Sequence, residues 1–164
     1  QNLSKSFNIL TSKSTFMSVT LSVITHTSSG KVYPLYVILI PFIFPNGLQI
    51  VKLGIATFTV QAAMYFSIKN LVKRERPSAS DGFTRLISPP DKYSMPSGHS
   101  ASALLFTLAV NTHSPGLTPY FIVWMCIVWI SRVGLGLHYI SDVIVGIILG
   151  VISHYIGSAI LTAF

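Results

Sequence analysis

Residues 131–142 read SRVGLGLHYISD and combine an arginine, a histidine and a carboxylate with largely apolar sequence, just before a long apolar run. Such groups are costly beside a membrane segment unless they pair or act together. If the chain after His138 is helical, Asp142 lies four residues further on and on the same side of the helix. The carboxylate can then accept a hydrogen bond from Nδ1–H of His138, which orients the ring and leaves Nε2 available.

Arg132 adds a planar fork of hydrogen-bond donors that suits phosphoryl oxygens. The segment therefore predicts a nucleophilic histidine, a carboxylate that orients it and an anion-binding arginine. A structural His–Asp pair beside a membrane helix would explain the same residues equally well. Other parts of the sequence have to decide between these two interpretations.

The composition predicts an integral membrane protein. The chain has 164 residues, of which 51% are hydrophobic and 9% charged, whereas soluble domains carry about a quarter charged residues. This length predicts one domain, residues 1–164. The formal net charge is +7, but six of the basic residues lie within residues 69–92 instead of along a soluble face. This distribution favours a phosphate-bearing substrate or an anionic lipid surface and disfavours nucleic acid as a partner.

The pattern of apolar runs and breakers predicts an all-α fold, an integral-membrane bundle of five to six transmembrane helices. Prolines and glycines divide the runs, and Ser141 is a candidate N-cap for the last helix. The predicted helices are about 33–44, 48–69, 98–112, 118–133 and 141–163. Residues 1–13 are polar and predict a tail or an interfacial segment. Residues 14–26 are too short and polar for a clear span, and fit either an interfacial segment or a first helix.

Residues 70–96 form one polar connection with four prolines, which argue against a regular helix. One predicted helix ends at Lys69, the next begins beside His99, and a third returns just before His138. Because successive spans alternate in direction, these three residues are expected at one face of the membrane.

Two further clusters lie at that face. Lys69 and Arg76 flank a basic juxtamembrane segment, which could hold an anion but is also typical of a headgroup anchor or topology signal. Residues 96–99 read PSGH at a helix start, where backbone N–H groups and the positive helix end favour an anion. A simple N-cap with a surface histidine is the alternative there.

Together the three clusters resemble the signature of the PAP2 superfamily, the type 2 phosphatidic acid phosphatases. All eleven defining positions are present in order and with the expected internal spacing: Lys69, Arg76, Pro77, Pro96, Ser97, Gly98, His99, Ser131, Arg132, His138 and Asp142. The resemblance covers about residues 48–160. It implies a helical bundle with a PAP2/haloperoxidase-like core and an active site at the membrane surface.

The resemblance also implies residue roles. His138 would be the nucleophile, Asp142 would orient it, and His99 would protonate the leaving oxygen and then activate water. The phosphoryl oxygens would be held by five further residues: Lys69, Arg76, Ser97, Gly98 and Arg132. The three cations among them would balance the negative charge of the phosphoryl group in place of a metal ion, so no metal or other cofactor is expected.

The implied activity is hydrolysis of a phosphomonoester or diphosphate of a membrane lipid. Candidate substrates are phosphatidylglycerophosphate, phosphatidic acid and undecaprenyl pyrophosphate. The motifs fit equally a lipid phosphotransferase, and a non-catalytic lipid-phosphate binding or transport protein remains the alternative of another class. The sequence gives no indication of oligomeric state.

The basic residues at the catalytic face would make it cytoplasmic by the positive-inside rule. Several of those charges are explained by phosphate binding, and similar bacterial lipid phosphatases face outward. We therefore expect a multi-pass protein of the inner membrane with an extracytoplasmic site.

His113 is expected far from the site and His154 as a buried hydrogen-bonding residue. Four other cations fit either a second phosphate site or solvated loop charges: Lys73, Arg74, Arg85 and Lys92.

Overall fold

The fold is all-α in a computed structural model that describes residues 2–163. Within that range the chain forms seven α-helices and two short 3₁₀ helices, the latter at Ala79–Asp81 and Pro115–Leu117. The α-helices are α1 (Asn2–Lys13), α2 (Thr15–Thr27), α3 (Tyr33–Ile43), α4 (Gly47–Val72), α5 (Gly98–His113), α6 (Thr118–Gly134) and α7 (Ile140–Ala163). Gln1 and Phe164, which the predicted domain includes, lie outside the described residues.

Three helical segments are long and apolar enough to cross a membrane: Gly47–Val72, Pro115–Gly134 and Ile140–Ala163. At 1.5 Å per residue, the 26 residues of α4 span about 39 Å, more than the roughly 30 Å hydrocarbon layer. Large apolar side chains point outward from these helices, such as Phe66 and Tyr155, which are 63% and 71% exposed. An aqueous surface disfavours such side chains, whereas lipid accepts them.

Small residues allow α7 to pack closely against α4 and α5. A Cβ atom added to Gly146 would lie 2.5 Å from the carbonyl oxygen of Ser97, and one added to Gly157 would lie 2.6 Å from Cα of Thr57. The helix backbones therefore touch at these glycines, as small residues permit in membrane bundles. The contact at Gly146 fixes the start of α5, and so the PSGH segment, against the start of α7.

Residues 1–13, predicted as a tail or an interfacial segment, form the helix α1, which packs on the core through its polar face. The tail alternative was therefore wrong. The side chain of Asn8 is fully buried and donates to the carbonyl oxygens of Thr84 and Gly134 over 2.9 and 2.8 Å. The polar residues of α1 are thus buried because they satisfy backbone groups of the loop and of α6. Hydropathy cannot distinguish such a helix from a tail.

Residues 14–26, for which the sequence left two interpretations, lie largely in α2. Ser14 caps this helix by accepting from the backbone N–H of Met17. The helix packs on α6, where Trp124 donates from its indole N–H to Thr27 Oγ1 over 2.8 Å. With 13 residues, α2 is about 20 Å long and shorter than the hydrocarbon layer.

Candidate active site

Four helix ends meet at one face of the bundle: the end of α4, the start of α5, the end of α6 and the start of α7. The backbone N–H of Ser97 donates to the carbonyl oxygen of Asp142 over 3.0 Å. Arg76, just beyond α4, donates to the carbonyl oxygen of Leu137 over 2.8 Å. At the opposite end of α5, the carbonyl oxygen of His113 accepts from Asn46, which separates His113 from this face as the sequence predicted.

His138 lies at the centre of this face and is 2% exposed. Its backbone N–H donates to the carbonyl oxygen of Arg132 over 3.1 Å, so the end of α6 positions the ring. Nε2 lies 3.3 Å from Nη1 of Arg76. Because arginine has only donors, Nε2 acts as the acceptor and the proton of the neutral ring belongs on Nδ1. Burial, Arg132 and Arg76 lower the pKa of His138 well below its ordinary 6.5, which favours this neutral, nucleophilic form.

Asp142 approaches His138 without closing the predicted hydrogen bond. Its Oδ2 lies 3.7 Å from Nδ1 of His138 and accepts instead from the backbone N–H of Tyr139 over 2.9 Å. Nδ1 has no hydrogen-bond partner within the described residues 2–163. The carboxylate thus faces the proton-bearing side of the ring from just beyond hydrogen-bond distance.

Arg74 binds the other oxygen of Asp142, a role that neither interpretation of this arginine, a second phosphate site or a solvated loop charge, had included. Its Nη1 lies 2.7 Å from Asp142 Oδ1 and 2.6 Å from Ser141 Oγ. The N-cap prediction for Ser141 was wrong, since α7 already begins at Ile140. At the start of α7, the Asp142 carboxylate instead accepts a hydrogen bond from the backbone N–H of Tyr139, the residue before the helix.

Asp91 joins two of the predicted phosphate-binding cations, and sequence reasoning missed it. Oδ2 lies 2.7 Å from Nζ of Lys69, and Oδ1 lies 2.7 Å from Nη2 of Arg76. The hydroxyl of Tyr65 also donates to Oδ2 over 2.7 Å. Burial alone would raise the pKa of Asp91, but these hydrogen bonds from Lys69, Tyr65 and Arg76 lower it to about 2. The sequence does not single it out, because three of the chain's four acidic residues lie in this basic segment: Glu75, Asp81 and Asp91.

Arg132 is almost fully enclosed, at 1% exposure. Its Nη1 donates to Thr25 Oγ1 over 2.7 Å, whereas Nε and Nη2 have no partner in the part of the chain that the structure describes. A buried guanidinium normally has its donors satisfied. Arg132 and His99 line a cavity of about 300 Å³, so this guanidinium group forms part of the wall of a space that can hold an anion.

Ser97 and Gly98 shape the start of α5. Ser100 donates to the Ser97 hydroxyl over 2.8 Å, which leaves the proton of Ser97 available to a ligand. A Cβ atom on Gly98 would lie 3.0 Å from the ring of Tyr65, the residue whose hydroxyl binds Lys69 and Asp91. Glycine therefore allows α5 to begin directly against α4.

Three of the other loop cations, Lys73, Arg85 and Lys92, line a second cavity of about 550 Å³ beside Arg76 and Asp91. His154, expected as a buried hydrogen-bonding residue, is half-buried, and its Nδ1 has no partner within residues 2–163, so that prediction was wrong. Among the described residues, no three His, Cys, Asp or Glu side chains are grouped to hold a metal ion.

The profile of the PAP2 superfamily matches residues 49–163. The chain belongs to the PAP2 superfamily. The match takes in α4 to α7 and so every residue of the predicted signature, whereas α1, α2 and α3 precede it. Thr25, which binds Arg132, thus comes from outside the matched region.

Two solved structures share this fold. LpxE from Aquifex aeolicus aligns with a TM-score of 0.80 and 22% identity, over 96% of this chain and 93% of that one. The transmembrane PAP2 type phosphatidylglycerolphosphate phosphatase from Bacillus subtilis aligns with a TM-score of 0.75 and 23% identity, over 100% of this chain and 87% of that one. With the long apolar helices, this similarity identifies the protein as an integral membrane member of the PAP2 superfamily.

A curated relative is the decaprenylphosphoryl-5-phosphoribose phosphatase of Mycobacterium tuberculosis. It is 36% identical over 91 residues, which are 56% of this chain and 50% of the relative. The alignment thus spans about half the length of that protein.

Proposed function

We propose that this protein is a metal-independent phosphatase that hydrolyses a terminal phosphomonoester or diphosphate of a membrane lipid through a phosphohistidine on His138. One observation carries the proposal: Nε2 of a buried, neutral His138 faces Arg76 within a ring of cations, beside the cavity that His99 and Arg132 line. Membership of a phosphatase superfamily and the bundle of apolar helices support a lipid phosphate as substrate.

The first chemical step forms a bond between Nε2 of His138 and phosphorus, while the bond from phosphorus to the lipid oxygen breaks. Burial and Arg132 lower the pKa of His99 well below 6.5, so His99 takes up a proton as the anionic substrate binds and then gives that proton to the departing oxygen. Proton-bearing Nδ1 becomes part of a cationic ring, and the nearby Asp142 carboxylate stabilises that charge. In the second step His99 takes a proton from water, which attacks phosphorus and releases inorganic phosphate and His138.

Negative charge grows on the phosphoryl oxygens in both steps. The unmatched Nε and Nη2 donors of Arg132, together with Arg76 and Lys69, supply fixed positive charge where it develops. The Ser97 hydroxyl and the Gly98 N–H at the start of α5 add neutral donors. In this proposal three cations balance the charge that other phosphatases balance with metal ions.

The test is phosphate release in detergent with EDTA present. The lipid panel contains phosphatidylglycerophosphate, phosphatidic acid, undecaprenyl pyrophosphate and decaprenylphosphoryl-5-phosphoribose, the last taken from the name of the mycobacterial relative. We expect release by the wild type and by His113→Ala, a histidine at the far end of α5, and none by His138→Ala. Loss of release in EDTA would contradict the metal-independent mechanism. Transfer of phosphate to an added acceptor lipid in place of water would identify a phosphotransferase.

We propose that the site faces outward from the inner membrane. The exposed residue Ala79 lies on the catalytic face, whereas the exposed residue Gly116 lies at the opposite end of the bundle. In a Cys126→Ser background, a membrane-impermeant thiol reagent applied to intact cells should label Ala79→Cys and spare Gly116→Cys. The reverse pattern would place the site in the cytoplasm.

A further inference from the structure

We propose that Asp91 is an internal competitor for the phosphoryl site, which it occupies until a substrate phosphate displaces it. The inference rests on the proposed function, because it takes Lys69 and Arg76 as phosphate-binding residues. In the structure both cations are bound by one carboxylate, with contacts of 2.7 Å each. The carboxylate thus makes the same kind of charge-assisted contacts that two phosphoryl oxygens would make.

The position of Asp91 relative to the nucleophile supports this assignment. Nη2 of Arg76 binds Asp91, while Nη1 of the same guanidinium group lies 3.3 Å from Nε2 of His138. One planar group therefore bridges the carboxylate and the nucleophile. A phosphoryl group bound to Arg76 and attacked by His138 would compete with Asp91 for these donors.

Asp91 also anchors the segment that carries it. Residues 87–93, called the strap here, lie between two fixed points: the N–H of Leu86 donates to the carbonyl oxygen of Leu135, and the N–H of Ser94 donates to that of Arg74. Between those points, every hydrogen bond of the strap to the rest of residues 2–163 is made by Asp91. Its backbone carbonyl oxygen accepts from Nε of Arg76, and its side chain makes the others. Displacement of this one carboxylate would therefore leave the strap held by a single hydrogen bond, from Nε of Arg76 to the Asp91 carbonyl oxygen.

The strap separates the two polar cavities of the catalytic face. Pro89 lines both the cavity of about 300 Å³ that contains His99 and Arg132 and the outer cavity of about 550 Å³. Movement of the strap would therefore join the two cavities and widen access to the site.

The outer cavity offers Asp91 an alternative position. Asp91 itself lines this cavity, is 33% exposed in its side chain, and shares the cavity wall with Lys73, Arg85 and Lys92. A carboxylate expelled by phosphate would thus turn towards other cations and not into an apolar environment. The same two positions give a route for product release, since Asp91 can return to Lys69 and Arg76 as inorganic phosphate leaves.

The main alternative is that Asp91 is a positioning residue that holds Lys69 and Arg76 ready for the substrate. The two roles predict opposite signs for one measurement, the affinity of inorganic phosphate. If Asp91 competes, its removal tightens phosphate binding. Phosphate then no longer has to break the ion pairs of Asp91 with Lys69 and Arg76 before it can bind. If Asp91 only positions the cations, its removal weakens phosphate binding.

The experiment measures binding of inorganic phosphate by thermal stabilisation of the full chain in detergent, and its inhibition constant where turnover is present. We expect Asp91→Asn to bind phosphate about tenfold more tightly than the wild type. This factor corresponds to a wild type in which Asp91 occupies Lys69 and Arg76 in about 90% of the molecules. Asp91→Glu should restore weak binding. The matched control is Asp81→Asn, which removes an equal charge from a neighbouring aspartate that binds Ser78 and Tyr139 and neither site cation. Weaker binding by Asp91→Asn, or no change, would overturn the proposal.

A second measurement needs no variant and detects strap release in the wild type. Lys92 is an exposed trypsin site within the strap. We expect inorganic phosphate to speed tryptic cleavage after Lys92, and phosphate-dependent protection of that bond would overturn the proposal. Neither phosphate binding nor tryptic cleavage requires turnover. Both tests therefore report on Asp91 even if the protein hydrolyses no lipid in the panel. Failure to hydrolyse any lipid would count against the proposed function alone.

Discussion

Arg74 donates from Nη1 to Oδ1 of Asp142 over 2.7 Å, so the carboxylate beside the candidate nucleophile is shared with a cation from the end of α4. Asp142 is fully buried, whereas the Arg74 side chain is 31% exposed. A buried carboxylate that loses its charged partner is destabilised as an anion. Arg74 therefore stabilises the anionic form of Asp142 next to His138, although the sequence signature does not include this arginine.

We expect Arg74→Gln to lower kcat at least tenfold, or about 1.4 kcal/mol in the barrier, because Asp142 would lose the cation that holds its charge. KM should change less, since the side-chain hydrogen bonds of Arg74 within residues 2–163 go to Ser141 and Asp142 and to none of the proposed phosphate-binding residues. The measurement is steady-state phosphate release, with Lys13→Gln as a control at an exposed lysine at the end of α1. Equal activity of the two variants would show that Asp142 does not need this partner.

Gly146→Ala should destabilise the bundle and lower activity together. The added Cβ would lie 2.5 Å from the carbonyl oxygen of Ser97, so α7 and the start of α5 would have to separate. Overpacking of this kind costs about 1–3 kcal/mol. The matched control is Gly54→Ala, where a Cβ meets nothing within 4 Å, and helix propensity should leave that variant as stable as the wild type or more so. The measurement is the midpoint of thermal unfolding of each variant in detergent. Equal midpoints for Gly146→Ala and Gly54→Ala would contradict the close approach of α5 and α7.

The sequence could predict the convergence of Lys69, His99 and His138, because spans that alternate in direction must return their ends to the same face. It also predicted the helices from α3 to α7 within a few residues, since prolines and glycines mark their limits. The family prediction was confirmed by the match over residues 49–163. The roles assigned to the individual site residues stay predictions.

Asp91 and Arg74 could not be predicted in the same way. Both lie in the irregular connection between α4 and α5, where no periodicity indicates which way a side chain points. A charge there can bind solvent, lipid or another residue with nearly equal ease, and only the folded loop decides. The helix α1 was missed for a related reason: its buried Asn8 satisfies distant backbone groups, and a hydropathy pattern carries no information about them.

His138 should titrate well below the ordinary histidine pKa of 6.5. Burial and the nearby guanidinium groups of Arg132 and Arg76 oppose a positive charge on the ring, so the neutral form persists as the pH falls below that value. NMR of the protein with ring-labelled histidine measures the titration directly, and the signal lost in His138→Ala assigns it. A titration at or above the ordinary value would show that the site stabilises the cationic ring even without substrate.

Thr25→Val should weaken the phosphate site from outside the matched PAP2 region. Thr25 Oγ1 accepts from Nη1 of Arg132 over 2.7 Å, and this is the one side-chain hydrogen bond of that guanidinium among the described residues. Loss of a hydrogen bond to a charged group costs about 1.5–3 kcal/mol, so we expect kcat/KM to fall roughly ten- to a hundredfold. The same substitution at Thr59, whose exposed hydroxyl bonds only to its own helix at Ile55, should leave kcat/KM unchanged. If Thr25→Val has the activity of Thr59→Val, Arg132 is held in place by α6 alone and α2 contributes nothing to the chemistry.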